Sequence, residues 1–227
     1  MTTPRVLKVL CHVHPSFDPM DLIGPYEIFS WGRHGPDSNP ELRTPAFENF
    51  ITSGEPNIIA HSKLSINIDL TLEEAYEKLA EFDILLIPGG GSQNVLPTRA
   101  EPISLIKTFS ELPKREDGGV RTLMSVCTGS LFLAESGVLA GKSATTHPLY
   151  TEKLKTILEP QGGKVYHEER FVANPIDEEK GLRIVTGGGI SAGMDAALFV
   201  IGEVLGKEKM EKAAWTVQYN RREGVVL

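Results

Sequence analysis

The sequence predicts an α/β protein on a doubly wound, mostly parallel sheet. Short apolar, β-branched runs alternate with longer segments at helical spacing. Several of those runs stop abruptly at glycine or proline, as buried strands do before a turn. No internal repeat or low-complexity tract breaks the alternation.

The elements follow in chain order. Arg5 to Val13 is the first strand. Pro25 to Trp31 is a helix, with proline where a first turn tolerates it. Gly32 to Pro45, rich in Gly, Pro, Asn and charge, is a surface loop. Between Ile58 and Ile68 two apolar runs flank His61, Ser62 and Lys63, a hairpin at one edge. Ile84 to Ile87 is a short buried strand closed by Pro88 and three glycines. Pro113 to Gly119 is a charged turn. Thr122 to Val126 is another strand, and Leu131 to Glu135 after it is helical. Arg183 to Thr186 is a late strand, followed by Gly187 to Gly189 and an apolar helix from Ala192 to Leu205. An amphipathic helix covers Lys207 to Tyr219. Neither loop is long enough to be a linker, so residues 1–227 form one domain.

Composition narrows the function. The 227 residues carry 23 Lys and Arg against 30 Asp and Glu, a net charge of −7, which argues against a basic nucleic-acid face. A hydrophobic share of 41% suits a large core and not a disordered chain. The longest apolar run, Ala196 to Ile201, falls far short of the ~20 residues of a membrane span. The opening MTTPRVLKVL has no signal-peptide pattern. Cys11 and Cys127 cannot build a disulfide framework, so the expected setting is a reducing cytoplasm.

Open parallel sheets bind ligands beyond the carboxyl ends of their strands. Four segments follow strands here: Asp21 to Pro25, Pro88 to Ser92, Ser125 to Ser130, and Gly187 to Ser191. In parallel strands these must gather on one side. An apolar strand, Cys127, then Thr128-Gly129-Ser130 and a helix is the pattern of a nucleophile elbow. A helix start beside the sulfur favours thiolate, and the small Gly129 and Ser130 leave room for substrate. The competing reading is a buried structural cysteine, a common fate of free Cys. Cys11, mid-strand, is core.

Asp21 sits among Met20, Leu22 and Ile23, where desolvation would raise its pKa and suit it to moving protons; a capping aspartate is the alternative. Asp18 looks like turn chemistry. Thr128 either bonds a carboxylate or caps the following helix. The glycine triplets, including Gly89, Gly90 and Gly189 with Ile190 beyond it, offer N–H groups for an anion or oxyanion, or simply make tight turns. Gly187 to Ala192 fits G-x-G-x-x-A only formally, and Gly137 to Ser143 is one residue short of a P-loop. His12, His14 and the His167-Glu168-Glu169 run complete no metal spacing. His147 is the one histidine placed to reach the site.

Together MDLIGPYEIF, FDILLIPGGG, SVCTGSLFLAESGVLAGKSATTH and IVTGGGISAGMDAAL resemble the DJ-1/PfpI superfamily from about Val6 to Leu205. The nearest branch is the isocyanide (isonitrile) hydratases. The resemblance implies a flavodoxin-like, glutamine amidotransferase-like domain with a cysteine at a strand–helix elbow. It differs from the protease-like and glyoxalase-like members, which carry histidine after the nucleophile where this chain has Thr128. The pattern also occurs in AraC-type regulators, but no helix-turn-helix segment precedes the end at Leu227.

For this branch the resemblance implies a hydro-lyase that turns R–NC into an N-substituted formamide without metal or organic cofactor. Cys127 would attack the terminal carbon and Asp21 would move the protons. Thr128 would orient Asp21, and Gly89, Gly90, Gly189 and Ile190 would line the substrate pocket. The implied partners are a small-molecule substrate and a second copy of the chain, with no nucleic acid or membrane. The alternatives are a glyoxalase- or deglycase-like enzyme acting on dicarbonyls, and a non-enzymatic redox sensor in which Cys127 is oxidised.

Overall fold

Period-two burial organises the sheet. In the computed structural model, which describes residues 4–36, 43–98 and 101–227, Val9 and Cys11 face one core and Leu10 the other. Met124 and Val126 against Leu123 repeat that alternation. Strands buried on both faces are what a parallel sheet between two helical layers requires.

The eight strands of the main sheet are β1 (Leu7–His12), β2 (Phe47–Ser53), β3 (Leu70–Thr71), β4 (Ile84–Ile87), β5 (Arg121–Val126), β6 (Phe171–Ala173), β7 (Leu182–Gly187) and β8 (Val225–Val226). Their spatial order is β8-β6-β7-β5-β4-β1-β2-β3. Every pairing from β7 to β3 is parallel, β6 runs antiparallel to β7, and β8 is parallel to β6. One face is covered by α1 (Pro19–Ser30), and later in the chain by Ala192–Leu205 and Lys207–Thr216. The other carries α2 (Leu72–Glu77), α3 (Ile103–Ser110), α4 (Gly129–Glu135) and α5 (Thr151–Leu158); the two later helices of the first face are α6 and α7. This is the expected doubly wound arrangement, consistent with a flavodoxin-like fold. No helix among the described residues is long and apolar enough to cross a membrane.

Local details depart from expectation. Helix α1 begins at Pro19, not Pro25. Asp18 caps it by accepting from Met20 N at 2.9 Å, and Pro19 takes the first helical position. Pro25 lies inside the helix, where it withholds a bond from the Asp21 carbonyl. Asp21 therefore stands in the first helical turn instead of in a loop. The Gly32–Pro45 stretch is not wholly irregular: Arg33–His34 pairs antiparallel with Thr44–Pro45, while residues 37–42 lie outside the described part. The hairpin forms as Asn57–Ile59 against Ser65–Asn67, but as a separate ribbon and not a sheet edge. It docks on the β1–α1 connection, with Ser16 N donating to Ile59 O (2.9 Å) and His61 N to Phe17 O (3.1 Å).

Candidate active site

Parallel strands deliver their following segments to one end of the sheet, and there Cys127 stands between β5 and α4. Its φ is +56°, a left-handed conformation that costs a non-glycine residue free energy and must be held by its surroundings. The restraints are visible. Cys127 N donates to Gly187 O (3.1 Å) and Gly188 O (2.8 Å), while its carbonyl accepts from Ser130 Oγ (3.1 Å) and Thr146 Oγ1 (3.0 Å). The side chain is 6% exposed at the wall of a cleft of about 560 Å³. Asp18, Gly90, His147, Tyr150 and Ile190 also line that cleft.

Asp21 faces Cys127 from α1. It is completely buried, with Oδ2 accepting from Gly89 N at 3.0 Å. Its Oδ1 has no partner of hydrogen-bonding geometry among the described residues, and the neighbouring thiol favours the ionised carboxyl. Burial and the nearby Asp18 outweigh these contacts and push its pKa up to about 8. The desolvated aspartate expected from its apolar neighbours is present.

The thiol runs against expectation. Backbone N–H groups of Thr128 and Ile190 favour the thiolate, as an elbow should, but burial and the Asp21 carboxylate prevail and push Cys127 up to about 12. A resting thiol, not a thiolate, is the state this environment favours at neutral pH. Desolvation, which acts over the whole side chain, outweighs the pull of the helix start on the sulfur.

Thr128 does not orient Asp21, nor does its side chain cap α4. Its Oγ1 accepts from Gly90 N at 3.0 Å and shares a 2.7 Å hydrogen bond with Ser92 Oγ, tying the elbow to the glycine loop. The orienting group for Asp21 is Gly89 N. A Cβ at Gly89 would lie 2.5 Å from Thr128 N, so this close approach of two backbones requires glycine. Gly129 likewise serves packing and not substrate access, since a Cβ there would meet the Ile87 carbonyl.

The glycine N–H groups are largely committed within the protein. Besides Gly89 and Gly90, Gly91 N donates to Ser16 O (2.8 Å) and Gly188 N to Arg170 O (2.9 Å). Of the four residues expected at the substrate pocket, Gly90 and Ile190 line the cleft, whereas Gly89 lies behind Asp21 and Gly189 packs against the His147 ring. His147 does reach the cleft; its Nδ1 accepts from Leu149 N at 3.2 Å, which leaves the proton on Nε2 in the neutral ring. Ser16, His61 and Tyr150 were not anticipated. The hairpin brings His61 to 3.8 Å from Asp18, a tertiary placement with no local sequence signal. Cys11 is buried core, as expected, and burial pushes its thiol far up.

The turn carrying Ile190 is buttressed from behind. Asp195 on α6, fully buried, accepts from Arg170 Nε (2.6 Å), Tyr219 Oη (3.0 Å) and Arg222 N (2.7 Å). Arg170 also donates to Ser191 Oγ at 3.1 Å, next to Ile190.

Comparison with known proteins bears on the family and the fold. The sequence profile of the DJ-1/PfpI family matches residues 7–201. An isonitrile hydratase from Pseudomonas putida is 26% identical over 205 residues, covering 90% of this chain and 75% of that protein. A deglycase from Thermococcus kodakarensis is 25% identical over 140 residues, 62% of this chain and 72% of its own. The crystal structure of a THiJ/PfpI family protein from Pseudomonas syringae superposes with a TM-score of 0.72 at 22% identity, over 96% of this chain and 77% of that one, a likeness of fold.

Proposed function

Since the chain belongs to the DJ-1/PfpI family, we propose that it hydrates a small isocyanide to an N-substituted formamide, with Cys127 as nucleophile and Asp21 as proton carrier. The observation that carries this reading is the buried Asp21 carboxyl facing the Cys127 thiol, with its pKa raised to about 8. Such an acid keeps its proton at neutral pH and stands beside the sulfur. Addition to the terminal carbon of R–NC needs both a proton and a nucleophile at that one atom.

The first step adds the thiol across the carbon. Asp21 gives its proton to carbon as sulfur bonds to it, and the carboxylate takes the thiol proton, so the product is the thioimidate R–N=CH–S–Cys127. The N–H groups of Thr128 and Ile190 stabilise negative charge on sulfur during the transfer. Water then adds to the same carbon, with Asp21 protonating nitrogen and receiving a proton from water. The C–S bond breaks, the sulfur regains a proton, and R–NH–CHO departs. All the groups used belong to the chain.

The hydratase relative supports the substrate class. The test is formamide production from alkyl and aryl isocyanides by the wild-type protein and by Cys127→Ala and Asp21→Asn. Turnover by wild type alone is expected; undiminished turnover in the cysteine variant ends the covalent reading. The second reading, favoured by the deglycase relative, is attack of the same thiol on a dicarbonyl. Lactate formation from methylglyoxal, without formamide from any isocyanide, would select it. A redox sensor would instead show peroxide-dependent oxidation of Cys127 without turnover on either substrate.

The reading includes one cytoplasmic domain working as a homodimer. Exposed Met20 and Ile23 on α1 and Trp215 on α7 supply apolar surface for that pairing. Light scattering that gives a monomer mass would remove it.

A further inference from the structure

The Cys127 cleft has two unlike sides. In the sheet β5 and β4 lie between β7 and β1, so the segments that follow β7 and β1 flank the elbow from opposite sides. The β7 side presents apolar surface, with Ile190 39% exposed and Leu149 86% exposed. The β1 side is polar, formed by Ser16, Asp18 and, from the docked ribbon, His61. At about 560 Å³ the cleft has room for much more than an isocyano group.

Asp18 is the one carboxylate among the described residues of this wall, and no described Lys or Arg lines it. Its position is fixed. Its backbone N donates to Gly89 O at 3.0 Å, and its Oδ1 is held by the Met20 N–H at the start of α1. Oδ2 accepts no hydrogen bond from a described residue. The nearest candidate donor, His61 Nδ1, is 3.8 Å away and lies 3.3 Å from the Phe17 carbonyl. A carbonyl only accepts, so the proton of neutral His61 is directed there and the charge of Asp18 stays unopposed. That charge also reaches the reacting pair, where it opposes ionisation of Asp21 and of Cys127. With its side chain only 16% exposed, Asp18 is shielded from water on most sides, which strengthens its attraction for a cation in the cleft.

We propose that Asp18 sets the charge specificity of this cleft, which takes isocyanides whose R group ends in an ammonium. The ammonium N–H donates to Asp18 Oδ2, the isocyano carbon lies at Cys127, and the hydrocarbon between them faces Ile190 across the cleft. An R group that ends in a carboxylate is repelled by Asp18 and finds no Lys or Arg among the described residues of the wall. The isocyanide part of this inference rests on the hydratase reading, whereas the preference for a cation belongs to the cleft whatever electrophile Cys127 meets.

The test compares kcat/KM for dimethylaminopropyl isocyanide, its neutral isostere methylpentyl isocyanide, and isocyanobutanoate, in the wild-type protein and in Asp18→Asn. Wild type should favour the cation over the neutral isostere by roughly tenfold or more, and the anion should be slowest. Asparagine keeps an oxygen for Met20 N, so α1 keeps its cap while the charge is lost. In that variant the cation and the neutral isostere should come within about twofold of each other. Any effect of the substitution on Asp21 or the thiol acts on every substrate alike and cancels in the ratio. If wild type hydrates none of the three, the hydratase reading falls by itself. The charge preference is then read from labelling of Cys127 by aminoethyl, hydroxyethyl and sulfonatoethyl methanethiosulfonates, with each rate normalised to a free model thiol. The aminoethyl reagent should lead in wild type and lose its lead in Asp18→Asn. Equal rates across the charge series in wild type, a lead for the anion, or a cation preference that survives in Asp18→Asn would overturn the proposal.

Discussion

Asp21 and Cys127 face each other from separate elements, and their influence on each other is unequal: the carboxylate opposes ionisation of the thiol, whereas the thiol favours the ionised carboxyl. The Asp21 carboxylate raises the thiol, while Asp21 itself is held up mainly by burial and by Asp18. The pair therefore rests with its protons on, and a proton must move before sulfur can attack.

Proton loss from Asp21 sets the alkaline limit of turnover. With its pKa at about 8, kcat/KM on an isocyanide should be level near pH 7 and fall above about pH 8, approaching tenfold per pH unit. A pH–rate profile measures this, and a plateau extending through pH 10 would remove Asp21 as the acid.

The same raised pKa makes stability depend on pH. Between the ordinary carboxylate range and about pH 8, folded Asp21 holds a proton that the unfolded chain has released. The folded state binds more protons there, so stability falls as pH rises through that window. Asp21→Asn removes this dependence. Relative to wild type, the variant should gain roughly 2–5 kcal/mol between pH 4 and pH 9, measured by urea unfolding. An unchanged difference across that range would place the shift elsewhere.

A buried, mostly protonated thiol should be slow toward alkylation. Iodoacetamide labelling of Cys127, followed by peptide mass, is expected to keep accelerating above pH 9 without the plateau of an acidic thiol. Saturation near pH 6 would indicate a stable thiolate.

Gly89 joins the acid to the elbow. A Cβ there would stand 2.5 Å from Thr128 N and 2.6 Å from its Oγ1, so Gly89→Ala should force the two loops apart. The expected loss is about 1–3 kcal/mol of stability with a larger proportional loss of activity, because Gly89 N also holds Asp21. Urea unfolding and turnover, measured together, check both.

Tyr219→Phe removes one donor from buried Asp195 while leaving Arg170 in place. A loosened Ser191 side of the turn would weaken the Ile190 N–H contact with sulfur. The Cys127 alkylation profile should then move to higher pH, a change that general destabilisation would not produce. An unaltered profile would confine Tyr219 to packing.

Much of this arrangement was legible in the sequence. Short apolar, β-branched runs marked β1, β4, β5 and β7, and parallel strands bring their following segments together, so the segments carrying Asp21, Gly90, Cys127 and Ile190 could be placed at one end of the sheet from the sequence alone. The start of α1 was also written, in Asp18-Pro19, but Pro25 offered a competing signal one helical turn and more further on. What could not be read depends on distant chain. Thr128 bonds Gly90 and Ser92 because the elbow and glycine loop touch, His61 arrives with a separate ribbon, and the thiol is raised by burial that spacing does not reveal.

Intact-protein mass spectrometry during reaction with an alkyl isocyanide tests the Asp21–Cys127 pair most directly. The expected result is a transient adduct on Cys127 equal to the mass of the isocyanide, absent from Cys127→Ala and formed much more slowly by Asp21→Asn. Formamide released by the wild-type protein without any adduct, and at the same rate by Cys127→Ala, would contradict it.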